Sequence, residues 1–248
     1  MASQQRSRKA LGLWMNGHFV GTWSLEAGGD VLQYDSQWVQ SPQRRPLSLS
    51  LPFTPGNRPH KGDAVRFYFE NLLPDSKDIR ERVARRYQVG ATDAYALLRE
   101  VGRDCVGALQ ILPAGDEPPT DLRVQAEPMS DHAVAQRIRA LAQPGAFGDA
   151  GMADDFRISI AGAQEKDALL FWQGRWCRPL EATPTTHIFK LPLGLIGNLQ
   201  LDMQHSVENE WLCAQLLAAY GLPVAPCEIL RFEDLKVLSV QRFDRRVW

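Results

Sequence analysis

No apolar run in this chain approaches the roughly 18–20 residues that a membrane-spanning helix requires, so no span and no membrane partner is expected. The start, MASQQRSRKALGLWMNGHF, is basic but lacks the apolar stretch and small-residue cleavage site of a secretory leader. The cytoplasm is the expected compartment. Cysteine is scarce: Cys105, Cys177, Cys213 and Cys227 form no C-x-x-C pair, and reduced, mostly packed thiols are expected. His18, His60, His132, His187 and His205 make no H-x-x-x-H helix pair and no zinc-like spacing with the cysteines, so no structural metal is expected. An excess of either charge is missing too. Lys and Arg number 28 against 29 Asp and Glu, a net charge of −1, which gives no bulk electrostatic reason to bind nucleic acid or a membrane surface.

What is present is an ordinary globular balance, 44% hydrophobic and 23% charged over 248 residues, which excludes a disordered chain. That length accommodates one or two compact cores.

Residues 11–24, LGLWMNGHFVGTWS, predict two strands around an Asn16-Gly17 turn. RPLSLSLP (45–52) alternates Leu47, Leu49 and Leu51 with serines and predicts a third strand. The period then becomes helical over 64–87 and 92–103, with Pro74-Asp75-Ser76 as a break and fresh N-cap, and Thr92 or Asp93 capping the second stretch. Residues 106–112 return to strand composition. Residues 113–128 hold four prolines and four acids and predict a linker. A helix capped by Ser130 or Asp131 is expected over 130–143. After a Gly/Ala/Asp-rich stretch come strand-like runs at 156–160, 167–172, 175–179 and 186–192. A helix capped by Ser206 follows over 206–220, with Gly221 beyond its end, and then strands in CEILRF and KVLSVQRF around Glu233-Asp234.

Three constellations could carry chemistry. Ser159–Lys166 (SIAGAQEK) is a small-residue turn whose backbone N–H groups could approach an anion beside Lys166; a plain hairpin turn fits equally well. Lys190 interrupts the apolar strand HIFKLP, and a lysine there either faces solvent on an edge strand or faces a ligand. In kinase-like lobes such a lysine pairs the nucleotide phosphates and an acid on the next helix, where this chain offers Glu208 and Glu210. Val240–Arg246 runs from apolar strand to charged exit, either a solvated strand end or the hinge that receives an adenine ring. In this order the three follow the plan of a kinase small lobe.

The sequence resembles the HipA family, serine/threonine kinase toxins of bacterial toxin–antitoxin systems. The resemblance is carried by RPLSLSLP (45–52), FENLLPDS (69–76), EVGRDCVGALQILP (100–113), DFRISIAGAQEK (155–166), TPTTHIFKLP (183–192), SVENE (206–210) and VQRFDRR (240–246). It implies an α+β fold: a small N-terminal α+β subdomain over 9–114, a linker over 115–129, and a kinase-like N-lobe over 130–248, an antiparallel sheet with one main helix that ends at the hinge strand. It also implies ATP and Mg2+ as cofactors. The nucleotide contacts match Ala161, Gly162, Ala163, Gln164, Lys166, Lys190, Gln241 and Phe243, and the autophosphorylated serine matches Ser159. A dianion at Ser159, beside Glu165 and near Asp155, would favour an ejected loop. The implied partners are a helix-turn-helix, HipB-like antitoxin, DNA only through that antitoxin, and a protein substrate such as an aminoacyl-tRNA synthetase.

The chain also departs from the pattern. Gln241 stands where many relatives have Glu, which keeps an acceptor and loses a charge. No Asp is followed five places later by Asn, no D-F-G occurs, and the family's T-D-G-H-x-x-N motif is missing. The expectation is therefore the N-terminal portion of such a kinase without its helical C-lobe, with no catalytic or metal-binding residue of its own, weak nucleotide affinity and negligible activity. The competing expectation is a non-catalytic interaction module that binds an antitoxin or a separate kinase lobe.

Overall fold

The computed structural model describes residues 10–119, 123–142, 164, 166–180, 183–196 and 201–245. These form two compact units that divide between residues 119 and 123. No helix among the described residues is long and apolar enough to cross a membrane.

The first unit opens with β1 (Ala10–Met15) and β2 (His18–Glu26). Asn16 and Gly17, both at positive φ (50° and 78°), make the tight turn that matches the twist of the two strands. Next come β3 (Gly29–Tyr34), α1 (Ser36–Gln40), β4 (His60–Lys61), α2 (Asp63–Glu70), α3 (Lys77–Arg86), α4 (Ala94–Val101) and β5 (Leu109–Pro113). The strands form one antiparallel sheet in the order β4-β3-β2-β1-β5. At Gly21 the sheet is so close that a Cβ would lie 2.2 Å from the Gln33 carbonyl oxygen, and only glycine fits. Ser76 caps α3 by accepting from the Ile79 N–H, and Asp93 caps α4 by accepting from Ala96. The core is aromatic at its centre: Trp23 stacks on Phe69 with centroids 3.7 Å apart, and Tyr95 meets Trp23 edge-on at 5.0 Å.

The expected strand over 45–52 is not one, and β3, which the alternation argument passed over, is the third strand. Leu51 is fully buried, but Leu49 is 96% exposed, so the leucines do not share a buried face. The segment's backbone is satisfied by a side chain instead of a ladder. The Tyr34 hydroxyl accepts from the Leu47 N–H at 2.8 Å and donates to the Leu51 carbonyl at 2.6 Å. Ser48 and Ser50 bond each other locally, an alternative to strand pairing that serine readily takes.

The second unit contains β6 (Ala126–Pro128), α5 (Asp131–Ala142), β7 (Lys166–Trp172), β8 (Arg175–Pro179), β9 (His187–Lys190), β10 (Gly194–Ile196), β11 (Leu201–Met203), α6 (Ser206–Ala219), β12 (Cys227–Phe232) and β13 (Leu235–Gln241). Among the described residues six strands form an antiparallel sheet in the order β12-β13-β9-β7-β8-β6, and β10 pairs with β11 in a separate two-stranded sheet. The proline-rich stretch read as a linker thus carries β6, which pairs with β8. A proline is tolerated there because β6 is an edge strand and its outer side needs no donor. Ser130 caps α5 by accepting from the Ala133 N–H. Val134, Ala135 and Ile138 of α5 pack on Leu169, Phe189, Phe232 and Val237 from one face of the sheet. Beneath them Arg137 and Asp167 form a buried ion pair. Ser206 does not cap α6. The N-cap position is His205, with no side-chain bond, and the Ser206 hydroxyl accepts from the Leu193 N–H at 3.0 Å.

Candidate functional site

Strand alternation sends Phe189 into the α5 core and turns Lys190 to the opposite face of the sheet. Because β9 lies between β13 and β7, the edge-strand reading of Lys190 is excluded. Burying a lysine stem at an interior strand needs a partner for its ammonium. Glu210, one turn into α6, supplies it: Lys190 Nζ donates to Glu210 Oε1. Glu208, the other candidate acid, pairs with Lys236 of β13, and that bond holds its carboxyl below the usual carboxylate range. The first turns of α6 are thus tied to the sheet through two lysine–carboxylate pairs, while Val207 is the only buried residue of the helix.

Lys166 lies directly opposite Lys190 across β7 and β9, so the two share a face. Two lysines, of which Lys190 is paired with Glu210, thus stand on one face of neighbouring strands. Gln164 joins this group by donating its side-chain amide to the Leu191 carbonyl at 2.6 Å. The thiol of Cys227 lies close by; burial pushes its pKa up, the charge of Glu210 adds to that, and Lys190 opposes it.

At the far end of β13 the Gln241 N–H donates to the Pro226 carbonyl and the Arg242 N–H to the Thr186 carbonyl, both at 2.8 Å. Phe243 projects, 88% exposed. Arg242 and Asp244 pair beside it. The structure therefore places Lys166 and Lys190 on neighbouring strands, with Gln164 just before β7 reaching the Leu191 carbonyl, and places Gln241 and Phe243 at the exit of β13. Ser159, Ala161, Gly162 and Ala163, together with the strand expected over 156–160, lie outside the described residues. No group of three or more His, Cys, Asp or Glu among the described residues is arranged to hold a metal ion. The Lys236–Glu208, Arg137–Asp167 and Arg242–Asp244 pairs were not foreseen. Only the last left a trace in the sequence, as opposite charges two residues apart.

Comparison with known proteins identifies the family. The family model described as the HipA N-terminal domain matches residues 11–112, and that of the HipA-like C-terminal domain matches residues 158–248. The protein Y4mE of Sinorhizobium fredii is 32% identical over 247 residues, 96% of this chain and 54% of its own length. The serine/threonine-protein kinase toxin HipA of Shewanella oneidensis is 30% identical over 231 residues, 92% of this chain and 48% of its own length. Among solved structures, a chain of the Shewanella oneidensis complex of HipA, HipB and operator DNA superposes with a TM-score of 0.71 at 27% identity. That match covers 96% of this chain and 51% of the other. The chain spans about half the length of the curated relatives it matches. With both family domains matched in order and the fold shared over nearly its whole length, the chain belongs to the HipA family.

Proposed function

We propose that this chain supplies the nucleotide-holding lobe of a HipA-type serine/threonine protein kinase toxin. The observation that carries the reading is the Lys190–Glu210 pair on an interior strand, opposite Lys166: a strand lysine met by an acid of the next helix is the pairing a kinase lobe uses for the phosphates of ATP. In this reading Lys190, Lys166, Gln164 and the backbone of Ala161–Ala163 receive the phosphates, while Gln241 and Phe243 meet the adenine. ATP is the phosphoryl donor and a protein serine the acceptor, with Ser159 as the site of autophosphorylation and an aminoacyl-tRNA synthetase as the kind of target. The described residues offer no carboxylate cluster suited to magnesium, and no step is assigned to a metal on them. The acid that orients the acceptor hydroxyl and the metal ligands are assigned to a helical lobe that the motifs of this sequence do not supply, so residues 1–248 alone have negligible activity. The partner is a HipB-like antitoxin, through which DNA is met indirectly, and the compartment is the cytoplasm. The neighbouring HipA–HipB–DNA assembly supports that choice of partner.

A second reading is favoured by α6, whose outer face exposes Leu212, Leu216 and Tyr220: a non-catalytic module that binds an antitoxin or a separate kinase lobe. Calorimetry with ATP and magnesium separates the two, on this chain alone and with a helical lobe produced from a relative. Binding and Ser159 phosphorylation only in the mixture support the kinase lobe. Absence of binding in both samples leaves the interaction module.

A further inference from the structure

The residues that follow β13 carry a second device, distinct from the lysine cluster. The Arg242 side chain is only 3% exposed, and a buried guanidinium needs its donors filled. Its Nε and Nη2 donate to the two carboxylate oxygens of Asp244 at 3.1 and 2.9 Å. Its Nη1 donates to Thr185 Oγ1 at 2.8 Å. Asp244 also faces Arg245, whose Nη1 is 3.3 Å from Oδ2. Backbone bonds complete the clamp, from Arg242 to Thr186 and from Gln241 to Pro226. The exit of β13 is thereby fastened to the segment before β9 and to the segment before β12. In the middle of it Phe243 is 88% exposed.

This is an expensive way to build a surface turn. A buried ion pair gives no net stability over apolar packing of the same volume, and an exposed phenylalanine forgoes its burial energy. What the arrangement does provide is a backbone held in one conformation under an outward-facing aromatic ring, and pre-organisation of that kind is what a planar ligand gains from. We infer that Arg242 and Asp244 are positioning residues for a nucleobase. They hold the β13 exit and the Phe243 ring in the arrangement against which the base docks, and they take no part in binding phosphate. The inference rests on the nucleotide reading above.

The test uses the full chain mixed with the helical lobe of a relative, the sample in which binding is expected, and separates the two ends of the ligand. Adenosine and inorganic tripolyphosphate are titrated individually against the wild type, Asp244→Asn and Arg242→Lys, and amide hydrogen exchange is followed over residues 241–245. In the variants, adenosine affinity falls about tenfold, tripolyphosphate affinity stays unchanged, and exchange at Arg242 and Phe243 accelerates. Lys190→Ala gives the opposite ligand pattern. Undiminished adenosine affinity in a variant whose exchange has accelerated overturns the inference. So does an adenosine loss without any change in exchange, which marks Asp244 as a direct contact. A wild type that binds tripolyphosphate but not adenosine overturns it and leaves the phosphate site standing, whereas binding of neither overturns the nucleotide reading as well. If Asp244→Asn does not fold, Thr185→Val loosens the same clamp without stranding a charge, and unchanged adenosine affinity in that variant also refutes the inference.

Discussion

Lys190 and Glu210 retain 26% and 41% of their side-chain exposure, so water screens much of their attraction. Lys190→Ala is expected to cost less than about 1 kcal/mol in urea denaturation, while binding of inorganic tripolyphosphate in the presence of the helical lobe is lost. A cost above about 2 kcal/mol would instead identify the pair as a structural element. Arg137 and Asp167 obey the opposite arithmetic. Their side chains are 7% and 1% exposed, and Nη2 donates to Oδ1 at 2.9 Å. Removing the cation strands a buried carboxylate, so Arg137→Ala is expected to lose about 3–5 kcal/mol, read from the same denaturation. The double variant Arg137→Met/Asp167→Leu should recover most of that loss, since no charge is then left unpaired. One lysine, one arginine and two acids thus divide by burial alone into a water-screened pair and a buried structural one.

At the scale of elements, the segment 45–52 is organised by Tyr34 rather than by its own alternation. The phenol is buried, and desolvation raises its pKa to about 12, partly offset by the bond from Leu47. Its neutral form is the one that folds. The stability it contributes is therefore complete below the ordinary value of 10 and is lost as pH rises through about 12. Tyr34→Phe is expected to cost about 1–3 kcal/mol, because the Leu47 N–H and Leu51 carbonyl lose their partner, and to flatten the alkaline limb of a stability–pH curve. A curve of unchanged shape in the variant would show that another group governs that limb. The strand prediction failed here because periodicity reports which side chains alternate, not where the backbone bonds go. Tyr34 lies 13 residues from Leu47 and 17 from Leu51, and no local window links them. The α3 and α4 caps, by contrast, are contacts over three residues, and the local sequence narrowed each to a few adjacent positions that include Ser76 and Asp93.

Across the whole molecule each unit has its own sheet and core, and α6 gives its core one buried residue, Val207, out of fourteen. Leu212, Leu216 and Tyr220 recur at four-residue spacing and are 51%, 52% and 83% exposed, a stripe that water disfavours. The chain is expected to self-associate through it, with Leu212→Glu/Leu216→Glu restoring a monomer in sedimentation velocity; a wild type that stays monomeric at high concentration counts against this. The sequence by itself determined a great deal: the Asn16-Gly17 hairpin, most helices, strands β7, β8, β9, β12 and β13 of the second unit, and the long strings that mark the HipA family. These are local patterns, set by residue spacing and turn chemistry. Tertiary structure alone decided that β9 is interior, that Glu210 rather than Glu208 meets Lys190, that Lys166 stands opposite it, and that Arg242 reaches back to Thr185. Each of these depends on strand order or on groups brought together from 20 to 57 residues apart, and contacts at such separation are set by how a sheet assembles, which the spacing of residues along one strand does not encode.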